Sequence, residues 1–377
     1  MTVMTVSKRQ VDAGPSIERE RWEILDEKGE VMSGATFKIT DTRFCDQWVR
    51  TLQIGGVSTQ PMYRRAGLVR EIFEQAFREA RSYGWAVSHL HPFSFAYYRK
   101  FGYERICDHL IVECPIEKLD FVPRSASGFE QAKAAEQFQE AAAVYNVFSA
   151  GRMAMPKCVN LERFPVGKPE NGVLFLHRDA RGAADAYVTL TVRKEFYVNH
   201  LGNGLLTVKE FAYAGPDALR AIFSFLRMYE GEVDSVRFDN MAMAPEIDFL
   251  LRHYLHTTYQ IVPDIMARVL DPEALLRANS YPREAGAFTL RVTDPCGVAS
   301  GVWRVRYGDG EAAVERLDDG APCDVACGVT ALSPLIYGAL DIDARALAYL
   351  DGVRVEGDPF DFLRAFPKRP RGVFEHY

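Results

Sequence analysis

Hydrophobic residues recur every three or four positions between residues 68 and 80, and charged residues fill most of the positions between them. This spacing places the apolar side chains on one face of a helix and the charged side chains on the other. The apolar runs at 52–57 and 85–90, on either side of this segment, are typical of buried strands. Gly84 stands where a helix commonly ends. The pattern therefore predicts a strand, a helix and a second strand.

The same order of elements returns farther along the chain. Residues 205–213 predict a strand, and the apolar stripe over 216–229 predicts the helix that follows it. Upstream, residues 129–147 predict an alanine-rich helix, while 173–177 and 187–192 predict the two strands of a hairpin. We interpret this region as a structural duplicate of the first, without its own ligand site.

From about residue 271 the pattern changes to short alternating strands followed by short helices, which predicts a small α+β domain. Residues 308–313 match a G-x-G-x-x-A nucleotide-binding spacing. Because an Asp-Gly turn lies there between two strand-like runs, we expect a hairpin instead. The predicted elements are strands at 288–292 and 302–307 and helices around 333–340, 343–350 and 359–366.

Composition narrows the classes of function. Of the 377 residues, 48% are hydrophobic and 25% are charged, as in soluble globular chains. The formal net charge of −6 argues against a nucleic-acid partner, which requires a basic surface. The chain has no run of about 18 apolar residues, and residues 1–10 lack the apolar core of a signal peptide. We therefore expect no membrane partner, a cytoplasmic location, and two or three domains.

The cysteines and histidines form no recognisable disulfide or metal pattern. Seven cysteines at irregular spacing argue against a disulfide framework. His89 and His91 alternate along one predicted strand, but the pair lacks the further ligands that close a zinc site. We therefore expect no metal.

The turn before the first helix, residues 64–69, combines two arginines with a glycine. The first N–H groups of a helix have no partner within it, and the helix dipole adds positive charge there. Arg64 and Arg65 add full charges, and Gly67 allows close approach of the backbone. The turn resembles the Q/R-x-x-G-x-G/A turn with which Gcn5-related N-acetyltransferases (GNATs) hold the pyrophosphate of acetyl-CoA. Val69 departs from that pattern, which prefers glycine or alanine.

Residues 90–103 predict a short helix that Ser94 caps and Gly102 ends. This helix carries two adjacent tyrosines, Tyr97 and Tyr98. In an acetyl transfer the departing CoA thiolate needs a proton, which a tyrosine hydroxyl near the thioester can supply. The alternative is that both are half-buried aromatic residues whose hydroxyls contact water.

Together, residues 57–70 and 90–103 resemble the enhanced intracellular survival (Eis) family of GNATs. The resemblance extends over nearly the whole chain and implies a mixed α/β and α+β fold. The implied fold consists of tandem GNAT-like acetyltransferase domains, the second of them degenerate, followed by a sterol-carrier-protein-like α+β domain. The implied domain bounds are 1–120, 121–270 and 271–377.

The resemblance also implies which residues act. Tyr98 is the implied general acid, and the free carboxylate of the last residue, Tyr377, is the implied general base. The reaction would transfer an acetyl group from acetyl-CoA, without a metal, to a small-molecule primary amine such as a polyamine, an aminoglycoside-like compound or a lysine amine. A hexameric homo-oligomer is implied as well. The implied cofactor-binding residues are Val57, Ser58, Thr59, Arg65, Ala66, Gly67, Leu68, Val69, Arg70, Phe93 and Ser94.

The beginning of the chain departs from the family pattern. Eis-like proteins have a strand and two helices before the first hairpin, and those helices form one wall of the acceptor site. Here only residues 1–21 precede the hairpin predicted at 22–32, and Gly14 and Pro15 interrupt them. We therefore expect a first domain truncated at its N-terminus, without that strand and those helices; a misplaced start codon is a second explanation. The alternative function is a non-catalytic protein that binds CoA or a lipid.

Overall fold

Two seven-stranded sheets and one five-stranded sheet organise the chain. The computed structural model describes residues 5–11, 18–158, 172–193, 196–197, 200–201, 204–239, 241, 244–251 and 253–373. These residues divide into two units. Of the described residues, the first contains those up to Cys107 and Asp264–Arg369, and the second contains those from Asp108 to Pro263 and from Pro370 to Val373.

The first seven-stranded sheet lies in the first unit with two helices, α1 (Leu68–Tyr83) and α2 (Phe95–Arg99), and a 3-10 turn at Pro61–Tyr63. In sheet order its strands are β1 (Val6–Gln10), β2 (Glu18–Leu25), β3 (Val31–Phe44), β4 (Gln47–Thr59), β5 (Val87–Leu90), β16 (Met266–Val269) and β6 (Glu104–Arg105).

The apolar stripe of α1 forms part of the core of the first unit, as predicted. Its six apolar residues are almost fully buried, and burial of each large side chain contributes about 1.5–3 kcal/mol to folding. Gly84 ends the helix in the left-handed conformation, with φ 69°. The residues of the stripe are Leu68, Ile72, Phe73, Ala76, Phe77 and Ala80, and Val69 next to them is buried as well.

The second seven-stranded sheet lies in the second unit, with the two-stranded sheet of β11 (Phe196–Tyr197) and β12 (His200–Leu201). In sheet order its strands are β8 (Phe129–Gln131), β9 (Val173–Arg178), β10 (Ala184–Arg193), β13 (Leu205–Tyr213), β14 (Ser235–Phe238), β7 (Asp108–Pro115) and β15 (Thr258–Pro263). The helices of this unit are α3 (Ala135–Phe148), α4 (Pro216–Leu226) and α5 (Glu246–Leu250), with 3-10 turns at Ile116–Lys118, Arg227–Tyr229 and Tyr254–His256.

The two seven-stranded sheets share one topology, and the chain exchanges a strand between them. Each sheet contains one parallel pair joined through a helix: β4 and β5 through α1, and β13 and β14 through α4. In the first sheet, β16 lies between β5 and β6, although in the chain it follows all the strands of the second sheet. In the second sheet, β7 lies between β14 and β15, although in the chain it directly follows β6 of the first sheet. Each compact unit therefore contains separate stretches of the chain, and the domain bounds at residues 120 and 270 stay a prediction.

The five-stranded sheet completes the first unit. A tight turn with positive φ at Asp309 (53°) and Gly310 (87°) joins β18 (Gly301–Gly308) to β19 (Glu311–Leu317), so the nucleotide-binding spacing at 308–313 is a hairpin, as predicted. In sheet order the strands are β19 (Glu311–Leu317), β18 (Gly301–Gly308), β17 (Gly286–Thr293), β20 (Val325–Gly328) and β21 (Val353–Val355). The helices are α6 (Pro272–Ala278), α7 (Val329–Ile336), α8 (Ala344–Leu347) and α9 (Phe360–Ala365).

Two predictions about local structure are wrong. The strand expected to be missing before the first hairpin is present as β1, which pairs with β2. Only Val6 of its five residues is buried, so the sequence shows no alternation of apolar and polar residues there. The helix predicted from residue 129 begins instead at Ala135, and residues 129–131 form strand β8. The helix begins there because the Gln137 side chain accepts hydrogen bonds from the backbone N–H groups of Lys133 and Ala134. Within the described part of the chain, no helix is long and apolar enough to cross a membrane.

Candidate active site

Beyond the last pair of β4 with β5, the edge of β4 that faces β5 has no strand partner among the described residues, and we call this edge the opening. The last paired residues of the two strands are Ile54 and Leu90, where β5 ends, while β4 continues to Thr59. The Gln60 N–H donates to the Met32 carbonyl at 3.0 Å. Since strand residues alternate in the direction of their backbone groups, Ser58 faces β3 and its neighbours Val57 and Thr59 face the opening. Val57 and Thr59 therefore have backbone groups directed toward the opening, where they can form the cofactor contacts predicted from the sequence.

The turn before α1 has a backbone suited to an anion. Arg65 and Gly67 both adopt the left-handed conformation, with φ 67° and 81°. Such a conformation is costly for arginine and is found mainly where function needs it. Arg64 and Arg65 are exposed and form no ion pair among the described residues, so both charges can reach an anion. Val69, the departure from the motif, is buried in the core beneath the turn.

Two other residues of the predicted seat, Ala66 and Arg70, are also exposed. The Arg70 guanidinium lies 3.3 Å from Glu74 and 5.5 Å from the centre of the Phe101 ring. Glu74 therefore partly neutralises Arg70, and the phosphate charge of a cofactor would compete with it. Arg64 and Arg65, in contrast, have no such acidic competitor among the described residues.

Tyr98 is held in a cluster of aromatic rings. Its ring centre lies 6.4 Å from that of Phe73 on α1 and 5.3 Å from that of Phe93. Only 3% of Tyr98 is exposed, and its hydroxyl forms no hydrogen bond with any described residue. Burial raises the pKa of Tyr98 to about 12, with a smaller effect from Tyr97. The hydroxyl therefore keeps its proton at neutral pH and has no competing acceptor.

Phe93 and Ser94, which the sequence predicts to line the cofactor cleft, both contact the helix that carries Tyr98. Phe93 is 73% exposed, with its ring against Tyr97 and Tyr98. The Ser94 hydroxyl accepts the backbone N–H of Tyr97 at 3.3 Å and so caps α2, as predicted. Ser94 thereby fixes the start of the helix that carries Tyr98.

Three segments of the chain match known protein families. Residues 3–106 and residues 161–269 each match a family described as "Acetyltransferase (GNAT) domain". Residues 272–370 match "Sterol carrier protein domain". The chain is an acetyltransferase with two GNAT domains. A GNAT domain takes an acyl-CoA as co-substrate, which suits the opening and the anion seat of the first domain.

Solved structures share this fold over nearly the whole chain. A probable N-acyltransferase from Enterococcus faecalis is 17% identical, with a TM-score of 0.79 over 95% of this chain and 89% of that one. Eis1 from Mycobacterium abscessus is also 17% identical, with a TM-score of 0.77 over 97% and 92%. A GCN5-related N-acetyltransferase from Kribbella flavida is 18% identical, with a TM-score of 0.76 over 95% and 87%. No curated protein matches the chain at a significant level.

The second GNAT domain repeats the strand and helix without the anion seat. Its helix α4 begins with Pro216, which has no N–H to offer, and Asp217 follows in the first turn. A carboxylate at that place repels phosphate. These features support the prediction that this domain binds no CoA.

The two histidines of the first GNAT domain have separate partners. His89 is fully buried and its Nε2 lies 2.9 Å from the Tyr337 hydroxyl; burial lowers its pKa to about 3, so the ring is neutral. His91 Nδ1 lies 2.8 Å from Asp264 Oδ1, and a carboxylate at that distance fixes the orientation of the imidazole. Among the described residues, no group of three or more metal-binding side chains forms.

Sequence reasoning missed Asp264 and also Arg21, whose side chain contacts β4. Asp264 is 173 positions from His91, and Arg21 is 35 positions from its partner Gly56. No local spacing connects such residues.

Proposed function

We propose that the chain transfers the acetyl group of acetyl-CoA to a small primary amine in the first GNAT domain. The observation that carries the proposal is the arrangement around the opening. Strand β4 runs past its last contact with β5, the arginine turn begins α1 beside it, and Tyr98 packs on Phe73 of the same helix. In this proposal Val57 and Thr59 bind the pantetheine arm through their backbone groups.

The chemistry follows from the charges that must move. The amine arrives as a cation, and the free carboxylate of Tyr377 accepts its proton directly or through a water molecule. The neutral nitrogen attacks the thioester carbon, and a β4 backbone N–H stabilises the oxygen that becomes negative. The carbon–sulfur bond then breaks as Tyr98 protonates the CoA thiolate, and the nitrogen releases its second proton, which restores the Tyr98 hydroxyl directly or through water. Tyr377 lies outside the described residues, so its role rests on the Eis resemblance.

A lipid-binding function receives less support. One cavity among the described residues of the sterol carrier domain has a volume of about 140 Å³, below the ~300 Å³ at which pockets for small-molecule ligands begin. Asp341 and Lys368 add polar groups to its wall. Leu335, Leu340, Ile342, Phe362, Leu363, Phe366 and Pro367 form the rest of the lining.

Replacing both Arg65 and Arg70 with alanine should weaken acetyl-CoA binding. Each lost charge-assisted hydrogen bond to phosphate costs about 1.5–3 kcal/mol, and the exposed side chains contribute little to folding. Calorimetric titration with acetyl-CoA measures the change. Arg78→Ala is the matched control, because Arg78 is equally exposed on α1 but lies two turns beyond the seat. An unchanged dissociation constant in the double variant would rule out this seat.

Adding one glycine after Tyr377 should abolish most of the activity, although it removes no side chain. The extension moves the terminal carboxylate by about 3.3–3.6 Å, more than a hydrogen bond tolerates. Glu375 and, less readily, His376 are the other groups near the chain end that could accept the proton. Steady-state rates of the native protein, the extended protein and Glu375→Gln are compared, and full activity of the extended protein would contradict the terminal carboxylate as the base.

A further inference from the structure

Strand β4 contains a bulge next to the opening. The register places Ser58 opposite Gly34 but Gly55 opposite Thr36, so Gly56 and Val57 together oppose one residue of β3. Gly56 adopts a left-handed φ of 54°. The bulge rotates the peptide between Gly56 and Val57 away from the regular pairing pattern of the strand.

One arginine from β2 holds the bulge in place. Arg21 Nη1 donates to the Gly56 carbonyl at 2.6 Å and to Thr36 Oγ1 at 3.1 Å. Its Nη2 donates to Ser58 Oγ at 3.1 Å. The Arg21 side chain therefore contacts both sides of the bulge, and only 14% of it is exposed.

The surroundings of Arg21 are built around its guanidinium. Position 34 is glycine, and a Cβ atom there would lie 2.6 Å from Arg21 Nη2. Glu23 accepts from Arg21 Nε at 3.2 Å and from Arg9 Nε at 3.1 Å. The hydrogen bond from Arg9, and secondarily that from Arg21, lowers the pKa of Glu23, so its carboxylate is ionised at neutral pH. The ion pair with Glu23 therefore holds the Arg21 side chain in place.

The position of Arg21 determines where the Val57 N–H points. In a trans peptide the carbonyl and the following N–H point in opposite directions. Because the Gly56 carbonyl points to Arg21, which reaches over β3, the Val57 N–H points away from β3 toward the opening. A cation on the carbonyl also polarises the peptide and strengthens its N–H as a donor.

We propose that Arg21 is a positioning residue for the oxyanion donor of the acetyl transfer. It would hold the Gly56–Val57 peptide so that the Val57 N–H meets the thioester oxygen as negative charge develops there. Arg21 itself does not touch the substrate. This inference rests on the proposed function, since it assigns the donor to the opening where acetyl-CoA would bind.

The test combines a rate with a spectroscopic signal that requires no acceptor. Acetyl-CoA labelled with carbon-13 at the carbonyl is bound to the full-length protein, and an isotope-edited infrared difference spectrum gives the carbonyl stretch. In the native protein this stretch should lie at lower frequency than in free acetyl-CoA. In Arg21→Met it should return toward the free value, kcat with spermine should fall about tenfold or more, and the affinity for CoA without the acetyl group should stay unchanged.

Two further variants separate positioning from folding. Arg21→Met with Glu23→Gln removes the carboxylate that would otherwise lose a partner, and it should reproduce both effects with an unchanged melting temperature. In Arg21→Lys the ammonium can still donate to the Gly56 carbonyl but cannot reach Gly56 and Ser58 at once, as the two guanidinium nitrogens do. This variant should therefore keep more of the rate and of the carbonyl frequency shift than Arg21→Met. Arg9→Met is the matched control, because Arg9 contacts Glu23 without reaching β4, and it should behave as the native protein.

Native frequency and native kcat in Arg21→Met would overturn the inference, as would equal losses in Arg9→Met. A lower kcat with the carbonyl stretch unchanged would also overturn it, because the loss would then arise elsewhere. Failure of the proposed function has a different signature. In that case the native protein would release no CoA with the amine, while the Arg21-dependent carbonyl shift would persist and support the inference.

Discussion

Tyr98→Phe should lower kcat by about 10²–10⁴-fold while acetyl-CoA binds as before. The substitution removes the hydroxyl and keeps the ring, which packs on Phe73 and Phe93. Because burial raises the pKa of Tyr98 to about 12, the hydroxyl carries its proton across the neutral pH range, as an acid for the thiolate must. Steady-state kinetics give kcat, and calorimetric titration gives the acetyl-CoA dissociation constant.

Tyr97→Phe is the matched control for this prediction. Tyr97 lies on the same helix, 5.2 Å from Tyr98 between ring centres, but it is more exposed and packs against Phe93 and Phe101. Its hydroxyl should contribute little to the rate. Equal losses at the two positions would mean that the tyrosine pair is structural or that the acid has been assigned to the wrong ring.

Arg268→Met should destabilise the first unit by about 3–5 kcal/mol, the usual effect of removing one partner of a buried ion pair. Arg268 lies on the exchanged strand β16, 1% exposed, and its Nη2 is 2.8 Å from Asp294 Oδ2. Its guanidinium also lies 4.4 Å from the centre of the Phe77 ring of α1. The substitution leaves the buried Asp294 carboxylate without its cation. Urea unfolding followed by circular dichroism measures the change in unfolding free energy.

The control is an ion pair of the same kind at the surface. Arg277 and Glu273 on α6 are 2.8 Å apart, and the Arg277 side chain is 53% exposed. Arg277→Met should therefore cost less than about 1 kcal/mol. Similar losses in the two variants would show that the buried pair does not hold the exchanged strand. Combining Arg268→Met with Asp294→Leu should recover part of the stability, because no charge is then left buried.

Elements with local signals were predictable from the sequence. The stripe of α1 and Gly84 placed the helix, because apolar periodicity and a left-handed terminal glycine are properties of one segment. The Asp309–Gly310 turn likewise identified its hairpin. The turn at residues 64–69 belongs to this group, since its glycine, its arginines and the start of the helix are neighbours in the chain, and anion binding at this turn stays a prediction.

Features that join distant segments were not predictable. The sequence of β16 is equally compatible with either sheet, and only the folded chain places it between β5 and β6. For the same reason the pairing of His91 with Asp264 and the contact of Arg21 with Gly56 left no local trace. The short strand β1 was missed for a different reason, because a single buried residue gives no alternation.

Transfer of an acetyl group from acetyl-CoA to a primary amine can be measured directly. The purified full-length protein is incubated with acetyl-CoA and spermine, and free CoA thiol and acetylated spermine are followed together, the latter by mass spectrometry. We expect both products to accumulate with time in equal amounts, and neither to accumulate without the amine beyond the rate of spontaneous hydrolysis. A protein that binds acetyl-CoA yet forms no acetylated product with spermine, an aminoglycoside or a lysine peptide would contradict the proposed acetyl transfer and favour the non-catalytic alternative.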